Sequence, residues 1–520
     1  MPGRFLADPR VDEAIDTLAR SGQLTVFVGA GASMEVGLPS WPALINRLLD
    51  GVARDRGLND SEASEFIAAI TAEADGVIGA ATVIRAHFSS SEFRGNADEF
   101  IRRSLYLDPL SDDLVEPPFG PTARAVAKLI RLWPIGAVEI VTTNYDFLLE
   151  RAADEGLHAD GSAPTGARAG QGGPQIEGGR FTVRHLHGAL GPGDGESDLK
   201  PIVIAEADYH LLQGDDAWQR ELMITRLRES NCIFVGASMT DVNVLRFLRL
   251  ARDEGPTTHR HFALLTRPPQ DSPSAAKVTA ALRAAAQARW AEYGVEVLYP
   301  DYFLETSQFL EELARRRQAG NAGRLLDRPE DRYQQRLGSW QDAMERTALP
   351  RRPLERFVDA QDRANHALGE WLVELVNAMP GRLRASCTRE TFGLQLWIAQ
   401  DKGDSLLLWA QSTNSWRDPR VLEPIPAKLP SQWGAVQAYC AGSPVLQELA
   451  ATIGSRWRSA LNVPIYLDDE QWGRLPVGVL GLSAMHRHGA AILTTLDRAE
   501  RDTIVNIMAA AATEYLTPNA

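Results

Sequence analysis

A chain of 520 residues that is 44% apolar and 23% charged is long enough for about two to four domains with sizeable cores, and its composition is that of a globular protein. Its formal charge of −14 repels nucleic acid in general, and Cys232, Cys387 and Cys440 lie too far apart for a disulfide framework or a Cys-x-x-Cys zinc ribbon. No run of about 18 apolar residues is available to span a bilayer, and MPGRFLADPR lacks the apolar segment of a signal peptide, so a cytoplasmic protein without a membrane partner is expected.

In chain order, Val11, Ile15 and Leu18 recur at helical spacing and lead into Leu24 to Val28. That short run is apolar and rich in β-branched residues, as a parallel strand buried on both faces requires. Gly29, Gly31 and Gly37 follow at once. Glycines let backbone amides approach a ligand, and a helix starting near Ser33 adds its positive end, a combination that favours a pyrophosphate. From Ala43 to about Leu132 the text reads as helix, in stretches such as ASEFIAAI and ADEFIRRSLY. This is too much helix for one crossover, so a helical insertion forming one wall of a substrate cleft is expected.

Val138 to Thr142 is the next buried strand, and it delivers TTNYD to the carboxyl edge of the sheet, the usual ligand side of doubly wound folds. A loop rich in Gly, Ala and Pro, about His158 to Gly179, precedes FTVRHLHGAL. Read as a strand, this segment puts His185 and His187 on one face. Pro201 to Ala205 reads as another short strand, followed by EADYHLL. Cys232 to Gly236 is a further strand and runs into GASMTDVNVLRFL, where Asp241 either caps the next helix or contacts a ligand. His261 to Leu265 and Val295 to Tyr299 complete the strands, with an Ala-rich helix from Ser274 to Tyr293 between them and an amphipathic helix ending near Arg317. Strands alternating with helices predict an α/β fold with a Rossmann-like parallel sheet.

From Arg316 to Pro353 the composition shifts to Arg, Gln, Gly and Pro, which reads as a linker. Its basic stretch, Arg315, Arg316, Arg317, Arg324 and Arg328, reads as a solvated helix end. Leu354 to Met379 is an amphipathic helix, with Phe357, Ala360, Ala364, Leu368, Trp371, Leu372 and Leu375 three and four apart. The strands FGLQLWIA and DSLLLWAQS follow, then Ser459 to Tyr466, a turn into Val477 to Leu480, and a closing helix from Asp497 to Leu516.

Two resemblances add to this reading. GAGASMEVGLPSW resembles the opening motif of the sirtuin superfamily, GAGxSxxxGIPxF, with Trp41 in place of Phe and Pro42 in place of Arg; TTNYD is similar to the superfamily's TxNxD, and His187-Gly188 to its HG motif. The resemblance covers about residues 20 to 315 and points to the zinc-less bacterial SIR2-like branch. It implies NAD as the substrate and no metal. Gly29, Ala30, Gly31, Ser33, Gly37, Pro39, Thr143, Gly236, Ser238 and Asp241 would contact the dinucleotide, with Ser33 and the amides of Gly29 to Gly31 on its pyrophosphate. Asn144 would position the ribose or a water, His187 would act as general base, and Asp146 would stabilise the positive ring or hold the ribose.

The second half, with AYCAGSPV, SALNVPIY and VGVL in order, resembles a GAF domain, a module that binds small molecules such as cyclic nucleotides or only dimerises. The implied arrangement is a SIR2-like domain over residues 1–317 with an insertion over about 43–132, a linker over 318–353 and a smaller α+β GAF-like domain over 354–520. The implied function is an NAD+ glycohydrolase, gated by its GAF-like domain and by homo-oligomerisation, that acts in anti-phage defence. An NAD-dependent protein deacylase and a non-enzymatic nucleotide-sensing scaffold are the alternatives.

Overall fold

The computed structural model describes residues 5–517 except 37, 74–75, 91–92, 94, 107–113, 115–116, 118–119, 135, 159–167, 171–181, 194–197, 213–216, 256, 266–274, 301–302, 321–328, 352, 380–391, 413–422, 430, 450–456, 470–472, 486–491 and 497. Its first sheet is parallel throughout and contains β1 (Leu24–Val28), β2 (Val138–Thr142), β3 (Arg168–Gly170), β4 (Thr182–His185), β5 (Asn231–Val235), β6 (His261–Leu264) and β7 (Val295–Leu298). The strand order is β3-β4-β2-β1-β5-β6-β7. The chain therefore builds outward from β1 on one side and then returns to add β5 on the other. That reversal puts the topological switch point beside β1, where open α/β sheets hold their ligands.

Side chains alternate between two cores with the period of two that a strand imposes. Leu24, Val26 and Val28 face one core with helices α1 (Pro9–Ala19), α7 (Pro121–Leu132) and α13 (Leu304–Ala319), whereas Phe27 faces the other with α10 (Trp218–Glu229) and α11 (Val242–Asp253). Every residue of β1 is buried, which is why its sequence is a continuous apolar run broken only by Thr25. The Thr25 hydroxyl is satisfied by the Ser230 hydroxyl at 2.7 Å.

Between β1 and β2 the chain forms α2 (Gly31–Met34), α3 (Trp41–Asp55), α4 (Asp60–Glu73), α5 (Gly76–Phe88), α6 (Ala97–Tyr106) and α7. Helices α3 to α6 pack on one another. The last helix, α7, instead packs on α13 and on α8 (Leu148–His158), so it belongs to the layer against the sheet.

Three local readings change in the structure. His187 lies beyond β4, which ends at His185, so the two histidines do not share a strand face. Residues 201–204 form no strand: Val203 N–H donates to the His187 carbonyl at 3.0 Å, and the chain enters α9 (Glu206–Leu211). The expected linker holds a 19-residue helix, α14 (Pro329–Thr347), whose Leu337, Trp340 and Met344 are buried. Those three recur at helical spacing, but the many charged residues between them mask the pattern.

The arginine cluster is also a structural element. Arg316 pairs with Asp12, with Asp16 at 2.7 Å and with Glu312 at 2.9 Å. Arg317 donates to the carbonyls of Ala19 and Leu132 and lies 4.5 Å over the Trp133 ring. Together they clamp α13 onto α1 and α7. Arg324 and Arg328 lie outside the described residues.

The second sheet is antiparallel, in the order β10-β9-β8-β13-β12-β11. Its strands are β8 (Phe392–Gln400), β9 (Ser405–Gln411), β10 (Ile425–Pro426), β11 (Val445–Glu448), β12 (Ser459–Asp469) and β13 (Gly473–Ala484). Helices α15 (Leu354–Ala378) and α17 (Arg498–Leu516) cover one face, over Leu394, Leu396, Ile398 and Leu480. The short α16 (Gly434–Ala441) covers the other, over Trp397, Leu406 and Val479. Helix α14 joins this unit through Trp340 Nε1, which donates to the Leu516 carbonyl at 2.9 Å, and through Gln341, which donates to the Ala399 carbonyl at 2.8 Å. The hairpin of β12 and β13 reaches α7 of the first unit. No helix among the described residues is long and apolar enough to cross a membrane.

Candidate active site

Register brings the candidate residues to one edge. Val28 lies opposite both Thr142 and Val235, and Thr142 lies opposite His185. The residues that immediately follow these four positions are Gly29, Thr143-Asn144, Leu186-His187 and Gly236, so the glycine turn, TTNYD, the HG motif and GASMTD all leave the sheet side by side.

The glycine turn is shaped by its neighbour. A Cβ on Gly29 would lie 2.5 Å from Ala237 Cα, and one on Gly31 would lie 2.8 Å from Gly236 Cα. Gly236 itself has φ +62°, and a Cβ there would meet Ala32 N at 2.8 Å. The amides of Gly29 and Gly31 donate to the carbonyls of Val235 and Gly236 at 2.9 and 2.8 Å. This corrects one expectation: the two amides are bonded inward, so in this arrangement they are not available to a pyrophosphate. Helix α2 is also only four residues long, too short for a large end charge. Gly236→Ala is expected to destabilise the fold by about 1–3 kcal/mol through backbone strain, read as a lowered Tm; an unchanged Tm would contradict the contact described here.

Ser33, Asn144 and Asp146 form a closed network. The Ser33 hydroxyl donates to Asp146 Oδ2 at 2.6 Å and accepts from Asn144 Nδ2 at 2.8 Å. Asn144 Nδ2 also donates to the Gly29 carbonyl at 3.1 Å, while Asn144 N–H donates to the Thr142 hydroxyl at 3.0 Å. Both amide protons are thus committed, which assigns the orientation of the amide. Its Oδ1 is buried without a hydrogen-bond partner. An orphaned acceptor costs on the order of 1–3 kcal/mol, and a ligand donor would recover that cost.

Asp146 uses its other oxygen, Oδ1, to accept from Leu148 N–H at 3.2 Å, at the start of α8. Burial raises its pKa, with Ser33 and Leu148 opposing that shift. Its observed contacts are with the protein: it holds Ser33, and Ser33 holds Asn144.

His187 is 4% exposed, and its ring packs edge-on against Tyr209 of α9 with centroids 5.3 Å apart. Nε2 lies 3.4 Å from Asp241 Oδ2, an ion-pair distance without the alignment of a hydrogen bond. Burial lowers the His187 pKa below 6.5, only partly offset by Asp241, so the ring is neutral at neutral pH. Gly188 makes the following turn possible: its φ is +77°, and a Cβ would lie 2.5 Å from the Pro201 carbonyl oxygen.

His185 is fully buried between the Asn144 carbonyl, 2.9 Å from Nδ1, and Glu150 Oε1, 2.8 Å from Nε2. Burial opposes its charged form, but Glu150 and the Asn144 carbonyl outweigh that and raise its pKa. It is a structural neighbour that holds the backbone of Asn144.

Asp241 caps α11, its Oδ1 accepting from Asn243 and Val244 N–H at 2.9 Å each. Its Oδ2 faces His187 and also accepts from the Tyr209 hydroxyl at 3.4 Å. Ser238 is exposed and bonded to Thr240 at 2.7 Å, whereas Thr143 and Pro39 are half-buried; Gly37 lies outside the described residues. Sequence reasoning gave no role to Tyr209 or to Glu35. Glu35 accepts from the N–H and hydroxyl of Thr122 at 3.0 and 2.6 Å and so ties the glycine segment to the first turn of α7. The only sequence sign of Tyr209 was a Tyr and Asp beside each other in EADYHLL, with nothing to name their partners. Among the described residues no group of three or more His, Cys, Asp or Glu gathers as a metal site.

The family model described as a SIR2-like domain matches residues 138–298. The NAD(+) hydrolase ThsA of Enterococcus faecium is 25% identical to the chain over 240 residues. That match takes in 46% of this chain and 41% of ThsA, about two fifths of the relative's length. Among solved structures, a Sir2 homolog–NAD complex aligns over 59% of this chain and 93% of that one, at 15% identity and a TM-score of 0.29. A Sir2 bound to acetylated peptide aligns over 51% and 88%, at 14% identity and a TM-score of 0.25.

Proposed function

We propose that this chain is an NAD+ glycohydrolase that converts NAD+ and water to nicotinamide, ADP-ribose and a proton. The observation that carries the reading is the pairing, at adjacent strand ends, of an amide whose Oδ1 is buried and unpaired with a buried, neutral imidazole. The similarity to the hydrolase ThsA supports it.

In NAD+ the nicotinamide is already a pyridinium. When the glycosidic C–N bond breaks, the ring takes the electron pair and leaves neutral, so no general acid is needed. The ribose carbon becomes oxocarbenium-like, and the site gains rate by favouring that charge over the ground state. Asn144 Oδ1 accepts from a ribose hydroxyl or from the attacking water and fixes its position. His187 takes the proton that the water loses as its oxygen bonds to the carbon, the work of a base that is neutral at the working pH. Asp146 and Ser33 act one step back by holding the Asn144 amide. Ala30, Pro39, Thr143 and Ser238 supply the remaining contacts to the dinucleotide.

Purified protein incubated with NAD+ should release nicotinamide without any acylated peptide. Stoichiometric deacetylation of an acetylated peptide, with no turnover in its absence, would overturn the reading in favour of a deacylase. Ser33→Ala should lower kcat by about 10-fold with a smaller change in KM, because the Asn144 amide loses one of its two acceptors and is held less firmly. Equal kcat in the two proteins would refute the positioning role.

The second unit is proposed as a GAF-like sensor that binds a small molecule of the cyclic-nucleotide kind and gates the site within a homo-oligomer. Unregulated cleavage of NAD+ would drain the cell, which is the physical reason for a gate and fits a role in anti-phage defence. The contact of the β12–β13 hairpin with α7 offers a route, since α7 holds Glu35 next to the glycine turn.

A further inference from the structure

Asp241 stands where one carboxylate serves two elements. Oδ1 closes the first turn of α11, and Oδ2 is turned away from that helix toward His187 Nε2 and the Tyr209 hydroxyl, each at 3.4 Å. Asn243, in the first turn of α11, donates to the Tyr209 carbonyl at 3.5 Å, so α9 and α11 hold the group together. A carboxylate only accepts hydrogen bonds, and the ring nitrogen nearest to it is therefore the one that keeps its proton.

We propose that Asp241 is a positioning residue for His187: it holds the proton on Nε2, fixes the ring against Tyr209, and leaves Nδ1 as the nitrogen that accepts the proton of the attacking water. The proposal rests on the glycohydrolase reading for its kinetic consequence but not for its tautomer. Asp241 thereby changes from a contact to the dinucleotide into the partner of the base. The other groups around His187 are accounted for. The Tyr209 hydroxyl points to Asp241, and the Tyr145 hydroxyl donates to the Val203 carbonyl at 2.5 Å. Asp208 accepts from the Ile204 and Ala205 N–H groups and lies 3.2 Å from Arg85. Asp241 is thus the one carboxylate of this set that has an oxygen aimed at the ring. The 3.4 Å separation exceeds that of an aligned hydrogen bond, as is common for catalytic pairs before substrate closes the site.

Asp241→Asn separates the two roles. Asn is as good a helix N-cap as Asp, so the cap and the fold are kept while the charge beside His187 is removed. In the full chain, kcat for nicotinamide release should fall about 10-fold or more with KM little changed. The acid limb of kcat/KM should move to lower pH, because the carboxylate raises the His187 pKa and its loss lets burial lower that value further. An unchanged kcat and acid limb, or a raised KM at constant kcat, would overturn the proposal; the latter would restore the contact to the dinucleotide. A second measurement needs no turnover. In chain labelled with 15N-histidine, with the His187 signal identified by its loss in His187→Asn, the shifts of the neutral ring should show the proton on Nε2, and its titration should move to lower pH in Asp241→Asn. A proton on Nδ1 or an unmoved titration would refute the assignment. Supportive spectra from a protein that does not cleave NAD+ would instead leave the pair in place and refute only the glycohydrolase reading.

Discussion

His187→Ala is expected to lower NAD+ hydrolysis by about 10²-fold or more at neutral pH, since it removes the base that takes the proton of the attacking water. The site around it is otherwise complete. Asn144, Ser33 and Asp146 bond to one another and to the glycine turn through hydrogen bonds that do not pass through His187, so dinucleotide binding should survive the change. Rate and affinity should therefore separate: nicotinamide release falls while binding of NAD+, followed by calorimetry, changes little. The wild-type pH profile checks the same role. A base must be neutral to act, and burial lowers the pKa of His187, so activity is full above 6.5 and is lost as pH falls through a lower value. A variant that keeps its turnover, or a wild-type acid limb centred above 6.5, would exclude His187 as the base.

Asn144→Ala should produce a loss of similar size, about 10²-fold in kcat/KM, by a different route. Oδ1 is the acceptor that the fold leaves open, and it is held there because both protons on Nδ2 are bonded, to Gly29 O and to Ser33 Oγ. Alanine removes the acceptor together with two of the three bonds that tie TTNYD to the glycine turn, leaving only that of Ser33 to Asp146. Asn144→Asp is the sharper comparison. It keeps the shape but places acceptors against the Gly29 carbonyl and a second carboxylate near the buried Asp146, so it should be no more active than the alanine variant. Turnover near wild type in either protein, with the fold intact by thermal melting, would show that the amide takes no part.

Much of the first unit was legible because its strands are buried on both faces. A parallel strand between two helical layers must be a short apolar run, and Leu24–Val28, Val138–Thr142 and Asn231–Val235 stand out as such against their flanks. The residues that leave such strands at the carboxyl end stand on the usual ligand side of the sheet, and the resemblance of TTNYD to TxNxD joined Asn144 to the glycine turn. Less was legible where burial depends on distant partners. Helix α14 looks like a linker because its buried Leu337, Trp340 and Met344 sit among charged residues that face outward or pair locally. Residues 201–204 have the composition of a strand, but the sheet already has β3 beyond β4, and the segment bonds instead to the turn at His187.

What the amino-acid order determined on its own is the alternation of strand and helix, the glycine turn and the set of polar residues delivered to its edge, because each follows from local burial and local backbone freedom. Only the tertiary structure decided which atoms those residues spend on one another. Packing against Gly236 turned the Gly29 and Gly31 amides inward, Ser33 went to Asn144 and Asp146, and Asp241 was divided between a helix cap and His187. The reason is that polar groups pair with whichever partner the fold brings within reach, and apart from the Asp241 helix cap those partners lie far apart in the chain, as Ser33 does from Asn144 and Gly29 from Val235.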